Sequence, residues 1–205
     1  MLARMDHLAN MISDALNGRG VANNAGVSSI SDTPVSADAQ YNLYCWGGRY
    51  HKLPELYRFP LGATMHTMWL LFYFGDRNQN LPPFRCLGCT DFGNRNDATY
   101  LSKVRIIAHI IAMLAFKANK FIIPGINSND AIAVPSKKID NALIRKSVAE
   151  MQEIFKTGYE ILLTLVHPDN PRSVQVSYST LHKRIGEYDK IETTDIKLSS
   201  LVKYR

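Results

Sequence analysis

Apolar residues Met5, Leu8, Ile12 and Leu16 fall three or four positions apart, the period of an amphipathic helix over residues 1–16. Residues 17–40 are small, polar and turn-forming, with little to bury, and predict a flexible linker. From Tyr41 the pattern changes to aromatics interleaved with Gly47, Gly48, Pro54 and Pro60, which excludes one regular element and predicts an irregular arm. Thr64 then stands as N-cap of a helix carrying Met65, Met68, Trp69, Leu70, Phe72 and Tyr73, stopped by Gly75. Residues 78–96 are polar, contain Pro82 and Pro83, and predict a loop. A second helix follows from about Ala98 to Asn119. Its apolar stripe is Ile106, Ile107, Ile110, Ile111 and Leu114, with Lys103, His109, Lys117 and Lys120 mostly elsewhere.

The longest periodic segment runs from Lys137 to His167. Ile144, Val148, Met151, Phe155, Gly158, Leu162 and Leu165 step alternately by four and three, an a/d heptad stripe broken only by Gly158. It predicts one long amphipathic helix over 136–167, ended by Pro168 and Pro171. Residues 168–205 predict one short basic helix from Ser177 and then a polar C-terminus. Strand signal is confined to FIIPGI and VQVSY, and no internal repeat is visible. The fold class is therefore mainly α: a small helical domain over 41–120 with long irregular loops, plus one long amphipathic helix.

Composition sharpens this picture at one place. With 24 Lys and Arg against 18 Asp and Glu the chain carries +6, and nearly all the excess falls within residues 46–120. That region favours an anionic partner. Three cysteines do not make a disulfide scaffold and favour a reducing compartment. No uninterrupted apolar stretch of membrane-spanning length occurs, and Asp6, His7 and Asp14 interrupt the start as no signal or transit peptide would. A soluble intracellular protein with no membrane partner is expected.

Candidate chemistry is sparse. Cys86 and Cys89 form a CxxC, and Cys45 and His51 could complete a tetrahedral zinc set, but the spacing matches no standard finger. Two soft residues beside Phe84 and Phe92 are the plainer reading. No nucleophile elbow, zinc-protease motif or phosphate-cradling glycine loop is present. No enzyme, cofactor or small-molecule substrate is expected. The remaining signal is basic. Lys103 and Arg105 are read as lying in the first turns of a helix, where free N–H groups and the dipole favour phosphate. Arg77, Arg85 and Arg95 come from the preceding Asn-rich loop, and Arg95 and Asn96 are of the types that read base edges. A third group, His182, Lys183 and Arg184, follows a Ser-Thr start in VSYSTLHKRIG, which resembles the recognition helix of the pipsqueak type.

WGGRYHKLPELYRFP, MHTMWLLFYFG, PPFRCLGCTDF and YLSKVRIIAHII together are similar to a DNA-binding domain of the yeast glycolytic-gene activator C-terminal type, also found in Crypton-like mobile-element proteins of fungi and oomycetes. The shared pattern is Trp69 followed by Gly75, a proline-led loop with Pro82, Pro83 and Arg85, then a helix opened by Ser102 and Lys103. The likeness spans roughly residues 44–115. The catalytic Arg, His and Tyr of the recombinases in such elements are not found. The resemblance implies a nuclear protein that binds double-stranded DNA, a transcription regulator or a mobile-element derivative. The heptad helix would then pair two copies and set half-site spacing. The competing expectation is a helical interaction module that dimerises through 139–166 and uses its basic centre only for solubility.

Overall fold

The computed structural model describes residues 41–129, 133–167, 176–191 and 197–204. The helix expected over 1–16, the linker 17–40 and the proline segment after His167 lie outside the described residues. Among those described, the chain is mainly helical. An antiparallel hairpin, β1 (Tyr44–Trp46) and β2 (Arg49–His51), precedes α1 (Met65–Phe74) and α2 (Arg95–Lys117). Strand β3 (Val134–Pro135), α3 (Ser136–Leu143), α4 (Val148–Val166), α5 (Tyr178–Tyr188) and β4 (Val202–Lys203) follow.

The local signals explain most boundaries. Thr64 Oγ1 accepts the Thr67 N–H at 3.2 Å and starts α1. Gly75 ends it at φ 71°, and a Cβ there would collide with the Leu81 carbonyl oxygen, so both conformation and space call for glycine. Asn94 caps α2 by accepting the Asn96 N–H at 2.8 Å. The irregular arm contains the hairpin because Gly47 and Gly48 both adopt positive φ in its two-residue turn, the geometry that matches strand twist.

The expected single helix over 136–167 is corrected to two. Ser147 Oγ accepts the Glu150 N–H at 3.3 Å, and the Glu150 carboxylate accepts the Ser147 N–H at 2.8 Å. This capping box opens α4 and competes locally with continuing α3. Lys146 and Ser147 together hold the Glu150 carboxyl down to about 2. The long helix of the fold is instead α2.

Helix α2 is the axis. Ile107, Ala108, Ile110, Ile111, Ala112, Met113 and Ala115 are all fully buried, because neighbours cover the helix on nearly every side. Its most extensive partner is α4, and Met151, Phe155, Gly158 and Leu162 of the heptad stripe are buried there. The stripe is thus used inside the domain. Gly158 is the point of closest approach, since a Cβ would run into the backbone carbonyl of Ile111. Trp69 of α1, itself fully buried, donates its indole N–H to the Met151 carbonyl at 3.2 Å and ties α1 to α4.

Residues of the segments 41–120, 136–167 and 168–205 contribute to one continuous cluster of buried residues that runs from Leu53 to Val202. One further expectation is corrected. The C-terminus is not merely polar. Leu198, Leu201 and Val202 are buried, Asp189 accepts the Leu198 and Ser199 N–H groups, and β4 pairs in parallel with β3.

Gly158→Ala is expected to destabilise the fold by about 2 kcal/mol or more, since a rigid carbonyl must move. Gly186→Ala in α5 meets open space and is expected to stabilise by roughly 0.5–1 kcal/mol through helix propensity. Urea unfolding of the two variants checks both signs.

Candidate nucleic-acid interface

Helix α2 begins at Arg95, earlier than its apolar stripe suggests, because Asn94 supplies the cap. Lys103 and Arg105 therefore lie more than two turns inside the helix, away from its free N–H groups. Ser102 does not open the helix either; its hydroxyl donates to the Ala98 carbonyl one turn back at 3.1 Å. The residues at the helix N-terminus are Arg95 and Asn96, both exposed.

Two residues apart on a helix means roughly 200° apart around it, so Lys103 and Arg105 face different ways. Arg105 turns toward the preceding loop and donates from Nη2 to the Leu87 carbonyl at 2.9 Å. Arg85 lies in that same stretch, half-buried in a tight turn over Phe84–Cys86. Arg77 is exposed beyond the end of α1, and Arg77 and Arg85 both lie within electrostatic reach of Tyr41.

Lys103 turns instead toward α5. Asn96, Tyr100 and Lys103 share one stripe of α2 by their four- and three-residue spacing. The Lys103 ammonium stands over the Tyr100 ring, 5.4 Å from its centre. Tyr100 meets the ring of Tyr178 edge-on at 6.3 Å, and Tyr178, fully buried, seats the start of α5 on α2. This brings His182 to Lys103. Burial, and then the Lys103 charge, lower the His182 pKa below its ordinary value, so the imidazole is neutral at neutral pH.

The rest of α5 divides by its packing. Leu181 and Ile185 are buried, while Ser179, Thr180 and Lys183 are exposed. Lys183 reaches Glu187 one turn on at 3.7 Å, a solvent-exposed pair of little strength. Arg184 donates to the Val166 carbonyl at 3.4 Å, which joins α5 to the end of α4 and gives it a structural task.

Arg58, in the arm before α1, was not singled out by the sequence. It is exposed and approaches the buried Asp97 carboxylate at 3.8 Å, placing a cation beside the first turn of α2. An Asp in the first turn of the helix was the available signal, but nothing in the sequence pairs it with Arg58. No family model, curated protein or solved structure matches the chain.

The zinc donors do not assemble. Cys45, Cys86 and Cys89 are exposed free thiols, and His51 stacks on Trp46 while its Nε2 donates to the Trp46 carbonyl at 3.1 Å. Among the described residues no three His, Cys, Asp or Glu side chains group as a metal set. The hairpin reaches the 86–91 stretch by other means. Lys52 N–H donates to Asp91 at 3.0 Å, and its ammonium donates to the Cys86 carbonyl. His109, expected off the apolar stripe, is fully buried and its Nε2 donates to Asp140 at 2.9 Å.

Lys103 therefore turns to the α5 side of α2 near Tyr100 and His182, while Arg105 turns to the 84–87 stretch that carries Arg85. Arg58 and Arg95 stand at the first turn of α2.

The His182 pKa is expected to lie below the usual histidine value and to rise in Lys103→Met, though not fully, because burial remains. Because the folded pKa is depressed, His182 contributes stability that is present at high pH and is lost as pH falls below the unfolded value. Imidazole carbon-bound proton shifts followed by NMR across pH 4–8 measure the effect.

Proposed function

We propose that this chain is a non-enzymatic DNA-binding protein of the nucleus, a transcription regulator or a product derived from a mobile element. It engages double-stranded DNA through the face shared by the start of α2 and the outer side of α5. The observation that carries this reading is the seating of α5 on α2 through the rings of Tyr100 and Tyr178 beside Lys103, which brings two basic signals far apart in sequence onto neighbouring helices. Arg58 and Arg95 extend that surface, and Lys183 continues it along α5. These cations contact phosphates and supply affinity and orientation. Asn96, with the short hydroxyl side chains of Ser179 and Thr180, is positioned to supply base-edge contacts. The likeness of Trp69, Gly75 and the proline-led loop with Arg85 to the activator-type domain supports the same reading, while the helix after that loop opens at Arg95 rather than at Ser102.

Met151, Phe155 and Leu162 of the 139–166 stripe are already buried within the domain, so a second copy could pair through them only by displacing elements of its own core.

Phosphate contacts from Arg58, Arg95, Lys103 and Lys183 imply that log affinity falls with log salt at a slope of about −3.6, a loss of roughly 10²-fold from 50 to 200 mM. Lys103→Ala and Lys183→Ala are each expected to reduce that slope by about one and to weaken binding to all sequences alike. Fluorescence anisotropy with a random-sequence duplex measures both. Absence of binding at 50 mM salt overturns the reading.

A further inference from the structure

Arg85 is a half-buried cation without an anion. Its Nε is fully buried and has no hydrogen-bond partner, and its guanidinium forms no ion pair among the described residues. A guanidinium withdrawn from water is costly unless a charge or hydrogen bonds compensate.

Its surroundings are built from three parts of the chain. Arg105 is fixed beside the same turn by its bond to the Leu87 carbonyl at 2.9 Å, which leaves other N–H donors of its fork free of protein partners. His109 lies one helical turn beyond Arg105 and its Nε2 donates to Asp140 at 2.9 Å, so that carboxylate is already engaged. Tyr204, placed by the β3–β4 pairing, packs its ring on His109 at 5.6 Å. Tyr204 is 46% exposed, and the cluster reaches solvent there. The Tyr73 hydroxyl is buried close to the same Asp140 carboxylate. Burial raises the pKa of both tyrosines, and both hydroxyls are protonated donors at neutral pH.

We propose that Arg85 and Arg105, with the Tyr204 hydroxyl at the opening, form a seat for one phosphate group between the 84–87 turn, α2 and the C-terminal strand. A planar carboxylate is satisfied by one guanidinium fork. Two forks entering from different elements present donors in more than one plane, which suits a tetrahedral oxyanion. Two guanidinium charges against one carboxylate leave the site positive. The seat lies on the side of α2 away from Lys103, so it does not rest on the DNA-binding reading. Its ligand is a phosphate, free or carried on a nucleic-acid backbone.

The test is thermal unfolding of the purified full chain in sodium phosphate, with sodium chloride and sodium acetate at matched ionic strength. Phosphate is expected to raise Tm saturably, by roughly 3–5 °C at tenfold above the midpoint, while chloride and acetate do not. Arg85→Gln is expected to abolish the rise without lowering Tm in chloride, because the side chain makes no bond to lose. Arg105→Gln is expected to abolish it too, from a lower baseline, because the Leu87 tether is lost. A rise no greater in phosphate than in chloride overturns the proposal, as does an equal rise in Arg85→Gln. Duplex binding then identifies the source of the phosphate. If Arg85→Gln weakens it and inorganic phosphate competes, the ligand is the DNA backbone; if duplex binding is unchanged while the phosphate effect is lost, the seat serves a separate phosphorylated molecule.

Discussion

The fold depends on the crossing of α2 and α4. Where they meet, the backbone of Gly158 lies against the carbonyl of Ile111 with no room for a side chain, and the helices approach as closely as their main chains permit. Met151 and Leu162 of α4 are fully buried in the resulting core, and Phe155 packs its ring on Trp69 of α1. The close approach also sets where the Met151 carbonyl meets the indole of Trp69, and so the seating of α1. An α2 covered on almost all sides follows from this packing, and its small residues Ala108, Ala112 and Ala115 are the ones that let neighbours close in.

An axis buried all round has a consequence for polar residues carried on it. His109 sits among isoleucines and is compensated by Asp140 from α3, so a hydrogen-bonded pair joins two helices where an apolar contact would have served. The C-terminal segment closes over this pair with Tyr204, and residues distant in sequence share a small polar enclave within the core. Toward the N-terminal end of α2 the covering thins. There Tyr100 and Tyr178 seat α5, and the cations gather at the rim of their contact. Helix α2 sends Lys103 toward α5 and Arg105 toward the 84–87 turn because its helical pitch separates them.

Much of the local structure was legible. Thr64, Gly75 and Ser177 act as the caps and stops their residue types imply, and the body of α2 follows from its apolar stripe. The break before α4 has a local signal, the Ser-x-x-Glu box of Ser147 and Glu150, which the continuous period of the heptad stripe masks. The early start of α2 was hidden because its first turn, with Arg95, Asn96 and Asp97, is polar. Gly158 showed as an interruption in a stripe, whereas it is the residue on which the stripe's packing turns.

Of the candidate site, the sequence supplied the charged residues and the helices that bear them, because spacing and caps act over a few residues. It could not decide which cations meet. Lys103 and Arg105 are neighbours in the chain yet diverge, and Lys103 and His182 are distant yet converge. Arg184 is drawn off to a carbonyl, and the Arg85 Nε is left without a partner among the described residues. Local propensities determined the elements and their boundaries; helix phase and the close packing of α2, α4 and α5 decided which charges share a surface, since side-chain contacts between distant segments exist only once the core has closed.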